Sequence, residues 1–181
     1  MRLGRLVARG FRNLAPLDLA IPPQGVALLG PNGAGKTNLL EAVAYPVLFR
    51  SFRGAADAEV ARFGGDGFHV AVHFGAAEPG RQAAATWTAA TRTKRITVDD
   101  APIRTLAEAA GRWLTVAFLP TDTGLAAGAP GERRGFLDRM LALADAGYLR
   151  ALARYRQALA RRNAALRRGE VASAAAFEAA L

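Results

Sequence analysis

Alternating apolar and polar residues predict β-strands in the N-terminal part of the chain. Residues 68–74 read FHVAVHF, which places the phenylalanines and valines on one face of a half-buried strand. Asp99 and Asp100 predict a turn after another strand-like run. Apolar or β-branched runs bounded by turn residues predict the further strands, at 2–11, 17–21, 25–29, 83–91, 93–98 and 114–119.

A helix is predicted after the apolar run GVALL at 25–29, which itself is expected to be a buried strand. The helix should begin near Gly35, where apolar residues start to recur at helical spacing. Pro46 lacks a backbone donor and is expected to kink or end the helix near Tyr45. A short second helix is predicted at 57–63. The expected apolar face of the first helix consists of Leu39, Leu40, Val43 and Ala44.

The C-terminal part of the chain is predicted to be helical. A glycine-rich loop at 124–131 leads into a helical pattern that starts at Glu132. Breaks are expected near 146–147 and at Gly169.

Strands followed by a helix-rich tail predict the α/β fold class. We expect a mixed sheet around a central helix in one lobe over residues 1–120, strand-rich at 68–119. Residues 121–181 are expected to be the start of a helical lobe or arm.

Composition favours one globular unit without disulfides. The chain has 181 residues, of which 51% are hydrophobic and 22% charged, so it can bury one substantial core. It has no cysteine, which excludes disulfides, thiolate zinc sites and cysteine nucleophiles. No apolar run approaches the roughly 20 residues that cross a bilayer, so we expect a cytoplasmic protein without membrane contact.

The formal charge of +9 favours a polyanionic partner, with nucleic acid as the first candidate. An alternative explanation is a base-composition bias of the genome, because the basic residues are nearly all arginine and alanine is abundant. The charge alone does not decide between these interpretations.

A phosphate-binding loop is predicted between the run at 25–29 and the first helix. Residues 30–37 satisfy the pattern G-x-x-x-x-G-K-[ST], and their backbone amides can face phosphate oxygens. Lys36 would place its ammonium against the β- and γ-phosphates, and the Thr37 hydroxyl would be a ligand of Mg²⁺. A chance glycine-rich turn is the alternative. The predicted nucleotide-binding residues of the loop are Gly30, Pro31, Asn32, Gly33, Ala34, Gly35, Lys36 and Thr37.

Several segments resemble a known family. LVARGFRNL at 6–14 and GPNGAGKTNLLEAV at 30–43 resemble the start of SMC-like ABC heads. The segments at 50–64, 118–138 and 148–168 resemble the RecF family in particular. The chain departs from the family pattern at Thr121, where glutamate is usual, at Arg161, where glutamine is usual, and at Pro46, which interrupts a continuous helix.

This resemblance implies a P-loop NTPase of the ABC/SMC-head type that uses ATP and Mg²⁺. It also implies that Arg12, Asn13 and Asn38 lie near the nucleotide, although Arg12 could instead be an exposed turn residue. The implied partners are DNA at single-strand to double-strand junctions, mediator proteins of the RecR and RecO type, and a second copy of the chain in the ATP state. The implied function is recombinational repair of gapped DNA and recombinase loading, with links to replication and the SOS response.

Two catalytic motifs of the family are expected to lie in a C-terminal half that this chain does not include. No L-S-x-G signature loop occurs after Thr37, and the only Walker B lookalike is ITVDDA at 96–101, for which a hairpin turn is the favoured interpretation. Catalytic residues are therefore not assigned. The full-length protein is expected to be a slow, DNA-stimulated ATPase, and this chain alone is expected to bind ATP but hardly hydrolyse it. No role is assigned to Thr121 or Asp122 from the sequence.

An arginine stripe on a predicted helix is a candidate DNA contact. Ordinary solvated arginines or a coiled-coil arm would explain the same pattern. The stripe consists of Arg150, Arg154, Arg161 and Arg168, opposite Leu152, Tyr155, Leu159 and Leu166, and Arg133 and Arg134 are further candidates.

Two other functions stay open on the sequence. One is another SMC-like ATPase, for example an overcoming-lysogenisation ATPase-nuclease. The other is a non-hydrolysing nucleotide-binding interaction module.

His69 and His73 also suggest a metal site, but strand geometry separates them by roughly 13 Å, so exposed polar positions are favoured.

Overall fold

A computed structural model of the chain describes residues 2–75, 81–105, 108–109, 112–113, 115, 119–125 and 127–177. These residues form two compact units. The first contains the described residues up to 105 together with Thr115, and the second contains the other described residues from 108 onward. The predicted division at residue 120 stays a prediction. The predicted strand at 114–119 falls largely outside the described residues, as does the side chain of Thr121.

The first unit is built on a six-stranded sheet with the order β2-β1-β3-β4-β5-β6. All its strand pairings are antiparallel, whereas the sequence predicted a mixed sheet. The other strand predictions that fall within the described residues are confirmed, with ends that differ from the predicted ones by at most three residues. The strands are β1 Leu3–Arg9, β2 Leu17–Ala20, β3 Gly67–Phe74, β4 Gln82–Thr88, β5 Thr93–Val98 and β6 Ala101–Pro102.

The segment at 25–29 is not a strand, so that prediction is wrong. Of its larger apolar side chains, Val26 and Leu29 are exposed, at 45% and 93% of their full accessibility, and Leu28 is half-buried. A strand needs a neighbouring segment that satisfies its backbone groups, and none of the six strands in the described sheet pairs with residues 25–29. Within the described part of the sheet, no two strands pair in parallel.

Two helices belong to this unit, α1 Lys36–Leu48 and α2 Asp57–Val60. Helix α1 continues through Pro46, so it does not end near Tyr45, and the kink expected as the alternative stays a prediction. The proline removes only one hydrogen bond, and its buried side chain lies among other buried residues of the last turns. The helix ends when Phe49 adopts a left-handed conformation with φ of 57°. The buried face also differs from the predicted one, because Leu40 is 56% exposed and Glu41 is buried.

Aromatic rings form the centre of the core between α1 and the sheet. Phe11, Tyr45 and Phe68 meet edge to face in all three pairings, with ring centroids 5.1–5.8 Å apart. Trp87 stacks on Phe68 at 6.3 Å. Such pairs add to the free energy gained by burying the rings, so they fix α1 against β3 and β4. Burial and a hydrogen bond to Asp57 raise the pKa of Tyr45.

Three helices dominate the second unit, α3 Pro130–Ala144, α4 Ala146–Arg167 and α5 Val171–Ala176, after a 3₁₀ helix at Pro120–Gly124. The predicted breaks are confirmed at Asp145, whose side chain caps α4, and at Gly169. Asp138 on α3 accepts hydrogen bonds from the Tyr148 hydroxyl at 2.7 Å and from Arg156 at 2.8 Å, which joins α3 to α4. These donors hold the pKa of Asp138 below its usual value.

The predicted packing face of α4 is only partly correct. Tyr155 and Leu166 remain more than 40% exposed, at 43% and 42%, while the buried residues are Ala158 and Ala165. Alanine allows close approach of the neighbouring helices, so the contact surface is centred on these small side chains. Among the described residues, no helix combines the length and hydropathy that crossing a bilayer would need.

Phe68→Ala should lower the free energy of unfolding by about 3–5 kcal/mol, because it leaves a cavity among three other rings. Phe63→Ala is the matched control, since the Phe63 side chain is fully exposed and its loss should change little. Urea unfolding followed by circular dichroism measures both. Equal losses for the two variants would contradict the assignment of the aromatic core.

Candidate phosphate-binding site

The glycines of the loop at 30–37 adopt backbone conformations with positive φ. Gly33 and Gly35 have φ values of 85° and 95°, which residues other than glycine rarely adopt. Helix α1 begins at Lys36, and its first hydrogen bond runs from the Leu39 amide to the Gly35 carbonyl at 2.9 Å. Within the described residues, the backbone amides of 36–38 have no acceptor from the chain. These amides and the positive end of the helix dipole are therefore available to an anion.

Lys36 bends back over the loop. Its ammonium donates to the carbonyl oxygens of Gly30 at 2.6 Å and Pro31 at 2.8 Å. The side chain thus stays beside the loop and does not enter the core. Phosphate oxygens could replace these neutral carbonyls as acceptors, because a charged acceptor makes a stronger hydrogen bond with an ammonium.

Thr37 is exposed in the first turn of α1, next to the free amides. The described residues contain no group of three or more acidic or histidine side chains that could hold a metal by themselves. A magnesium ion at this position would therefore combine the threonine hydroxyl with phosphate oxygens and water, as this ion commonly does. The role of Thr37 stays a prediction.

Asn13 touches the loop directly. Its amide donates to the carbonyl of Gly33 at 3.2 Å, and its oxygen accepts from Asn38 at 2.8 Å. A β-carbon on Gly35 would lie only 3.0 Å from the Asn13 oxygen, so a larger residue would have to displace the Asn13 side chain. The structure therefore places both Asn13 and Asn38 beside the loop, as expected, although their contact with a nucleotide stays a prediction.

The turn that carries Arg12 and Asn13 is fixed by pairing with residues 60–62. Phe11 forms an isolated antiparallel bridge with Ala61, and the Arg12 amide donates to the carbonyl of Val60 at 2.8 Å. The same pairing is completed when the Arg62 amide donates to Gly10 at 2.7 Å. These bonds hold Arg12 at a positive φ of 49°.

The Arg12 side chain is directed to Glu41. Its guanidinium donates twice to the two carboxylate oxygens of Glu41, both at 3.0 Å, and once to the carbonyl of Glu59 at 2.8 Å. The residue is therefore neither a simple exposed turn arginine nor fully free for a phosphate. Its predicted phosphate contact stays a prediction.

Glu41 is the residue of this region that sequence reasoning missed. Its side chain is completely buried, and besides Arg12 it accepts from the Ser51 hydroxyl and lies 3.6 Å from a nitrogen of Arg53. The sequence does contain a signal for it, because Glu41 is the one acidic residue of α1 and has apolar neighbours. Its partners lie 10 to 29 residues away in sequence and could not be read from local spacing.

The DNA candidates lie on the second unit. Arg150, Arg154 and Arg161 are exposed along α4, and Arg168 lies just beyond its end, where it pairs with Glu170 at 2.8 Å. Arg133 and Arg134 are exposed at the start of α3. Three of the four predicted arginines are therefore exposed on α4, and their use in DNA binding stays a prediction.

The hairpin interpretation of residues 96–101 is confirmed. Asp99 and Asp100 form the turn between β5 and β6 with positive φ values, and Asp99 accepts from the backbone amide of Gln82 at 3.0 Å. Both histidines of β3 are half-buried, so the predicted exposed positions are wrong. A ring nitrogen of His69 lies 2.9 Å from the Thr86 hydroxyl, and burial lowers the pKa of His69.

The chain is similar to proteins involved in DNA repair. Over 157 residues it is 36% identical to the DNA replication and repair protein RecF of Chlamydia muridarum, in a match that covers 86% of this chain and 42% of that protein. It superposes with a TM-score of 0.81 on a solved structure of the recombination mediator protein RecF-ATP in the RecFOR pathway, at 30% identity, over 92% of this chain and 44% of that one. No protein-family model matches the sequence.

A more distant solved structure supports the fold alone. It comes from work on ATP-driven dimerization and DNA stimulated activation of SMC ATPases, and it matches 76% of this chain and 98% of that one, with a TM-score of 0.54 at 16% identity. The chain spans less than half the length of the RecF relative described above.

Glu41→Ala should destabilise the first unit by about 3 kcal/mol, because it leaves the Arg12 guanidinium without its buried partner. Asp18→Ala is the matched control, since it also removes a carboxylate paired with an arginine, but from an exposed pair with Arg5. Urea unfolding of both variants tests this difference. A Glu41→Ala variant as stable as Asp18→Ala would contradict the importance of the buried carboxylate.

Proposed function

Because this chain belongs, along the residues it spans, to the RecF family of SMC-like ABC ATPases, we propose that its phosphate loop binds ATP with Mg²⁺. Within a whole protein of the family, the chain would act in DNA replication and repair. The RecF match is closer in sequence and structure than the match to an SMC ATPase. This favours a RecF-like function over that of another SMC-like enzyme.

The observation that carries the proposal is the free cluster of donors at the start of α1. The amides of residues 36–38 point to no acceptor of the described chain, and the Lys36 ammonium lies beside them on two carbonyls. A triphosphate would bring several anionic oxygens to these donors at once. Because the glycines already hold the loop in its curved shape, little further ordering is needed for binding.

Magnesium fits this arrangement through Thr37. When bound with ATP, the ion would neutralise the charge of the β- and γ-phosphates. The exposed hydroxyl of Thr37, one residue after Lys36, is the ligand that the chain itself would provide.

We assign hydrolysis to the whole protein and not to this chain. The acidic residue nearest to the loop in sequence, Glu41, is buried and occupied by Arg12, Arg53 and Ser51. It is therefore not free to orient water. A slow, DNA-stimulated ATPase would need a carboxylate and a capping loop from elsewhere in the protein or from a second copy bound in the ATP state.

DNA binding is the second part of the proposal, and it is supported by α4. Every charged residue of this helix is an arginine, and Arg150, Arg154 and Arg161 are exposed. Such a surface gains free energy from counterion release when it contacts phosphates. Repair of gapped DNA in the cytoplasm would require binding at single-strand to double-strand junctions and cooperation with RecR-type and RecO-type mediators.

Lys36→Ala should abolish the heat of ATP binding in calorimetry, because it removes the charged donor of the loop. Arg95→Ala serves as the control, since it removes an exposed positive charge from β5 and should leave affinity unchanged. Unchanged affinity in Lys36→Ala would contradict the phosphate-loop assignment.

Replacing both Arg154 and Arg161 by alanine should make the salt dependence of DNA binding less steep. If each arginine contacts one phosphate, the slope of log K against log salt becomes less negative by about 2. A double replacement of Arg5 and Arg95 removes the same charge from the sheet and controls for net charge. Fluorescence anisotropy with a gapped duplex at several salt concentrations gives the slopes, and equal slopes for the two double variants would exclude α4 from the DNA contact.

A further inference from the structure

A closed ring of polar contacts lies beside the phosphate loop. Asn38 donates to Asn13 at 2.8 Å, and Arg53 donates to the Asn38 oxygen at 3.0 Å. The same nitrogen of Arg53 lies 3.6 Å from Glu41, which binds Arg12 through two hydrogen bonds. Because Arg12 and Asn13 are neighbours in the chain, these contacts close a ring, which we call the amide–arginine ring.

The ring meets the phosphate loop only through Asn13, among the contacts of the described residues. The Asn13 amide donates to the Gly33 carbonyl at 3.2 Å, and a β-carbon on Gly35 would lie 3.0 Å from the Asn13 oxygen. Gly33 and Gly35 are the two loop glycines with strongly positive φ values near the start of α1. Glycines have the largest backbone freedom, so a contact that holds them restricts the loop where it is most mobile.

We infer that Asn13 and Asn38 are positioning residues, which hold the Gly33 carbonyl and thereby keep the amides at the start of α1 turned toward a bound phosphate. This inference rests on the proposed function, because it assigns a role within the same site. The oxygens of both amides are already engaged, Asn13 with Asn38 and Asn38 with Arg53. Each amide nitrogen also donates within the chain, Asn13 to Gly33 and Asn38 to Asn13, so we assign their effect on a nucleotide to the loop backbone.

The two asparagines act in series. Asn38 orients the side chain of Asn13, and Asn13 alone reaches Gly33. Loss of Asn38 leaves Asn13 free to rotate, and loss of Asn13 removes the contact itself. Once Asn13 is absent, Asn38 has nothing left to orient, so the two replacements are expected to be non-additive.

The first experiment is calorimetry with ATP and Mg²⁺ on Asn13→Ala, Asn38→Ala and the double variant. Each single variant should bind about threefold to tenfold more weakly, which corresponds to the usual net contribution of one hydrogen bond. The double variant should bind no more weakly than Asn13→Ala. Asn163→Ala on α4 removes an exposed asparagine far along the sequence and should leave affinity unchanged.

Two outcomes of this experiment would overturn the inference. Unchanged affinity in both single variants would show that the contacts do not matter for binding. Losses that multiply in the double variant would show that each asparagine contacts the nucleotide independently. Circular dichroism and thermal melting of each variant verify that the fold is kept.

The second experiment needs no nucleotide and separates this inference from the proposed function. Backbone ¹⁵N order parameters of residues 33–37, measured by NMR relaxation, should be lower in both single variants than in the parent chain and in Asn163→Ala. If the parent chain failed to bind ATP, the proposed function would be wrong, and the order parameters alone would decide whether the ring holds the loop. Equal order parameters in all variants would overturn the inference.

Discussion

The buried carboxylate of Glu41 is the interaction on which the arrangement of the site depends. It lies on α1, one turn after the phosphate loop, and binds Arg12 from the end of β1 and Arg53 from the segment after α1. Burying a charge is unfavourable unless partners compensate it, so this carboxylate can persist only while these segments stay together. The turn that carries Asn13 is thereby fixed beside the loop.

The loop itself combines a rigid frame with unused donors. Its frame comes from the aromatic core under α1 and from the pairing of residues 10–12 with 60–62. The amides of residues 36–38 and the Lys36 ammonium are left at the surface of this frame. Binding of an anion then requires little rearrangement beyond the side chain of Lys36, which has to exchange carbonyl oxygens for phosphate oxygens.

The sequence predicts those parts of the structure that depend on local patterns. The alternation at 68–74, the acidic turn at 99–100 and the glycine pattern at 30–37 each specify a local backbone shape, and the structure has these shapes. The segment at 25–29 was mispredicted because a strand also depends on a distant partner, which the apolar pattern does not identify. Pro46 was misjudged because packing of the last turns of α1 outweighs one lost hydrogen bond. Glu41 escaped notice since its partners come from separate segments of the chain.

The most direct test of the account is a crystal structure of the chain with ATP and Mg²⁺. We expect the Lys36 ammonium to leave the carbonyls of Gly30 and Pro31 and to lie within hydrogen-bonding distance of the β- and γ-phosphate oxygens. The amides of residues 36–38 should face the same phosphates, while Asn13 keeps its contact with Gly33. A nucleotide bound elsewhere, with Lys36 still on the two carbonyls, would contradict it.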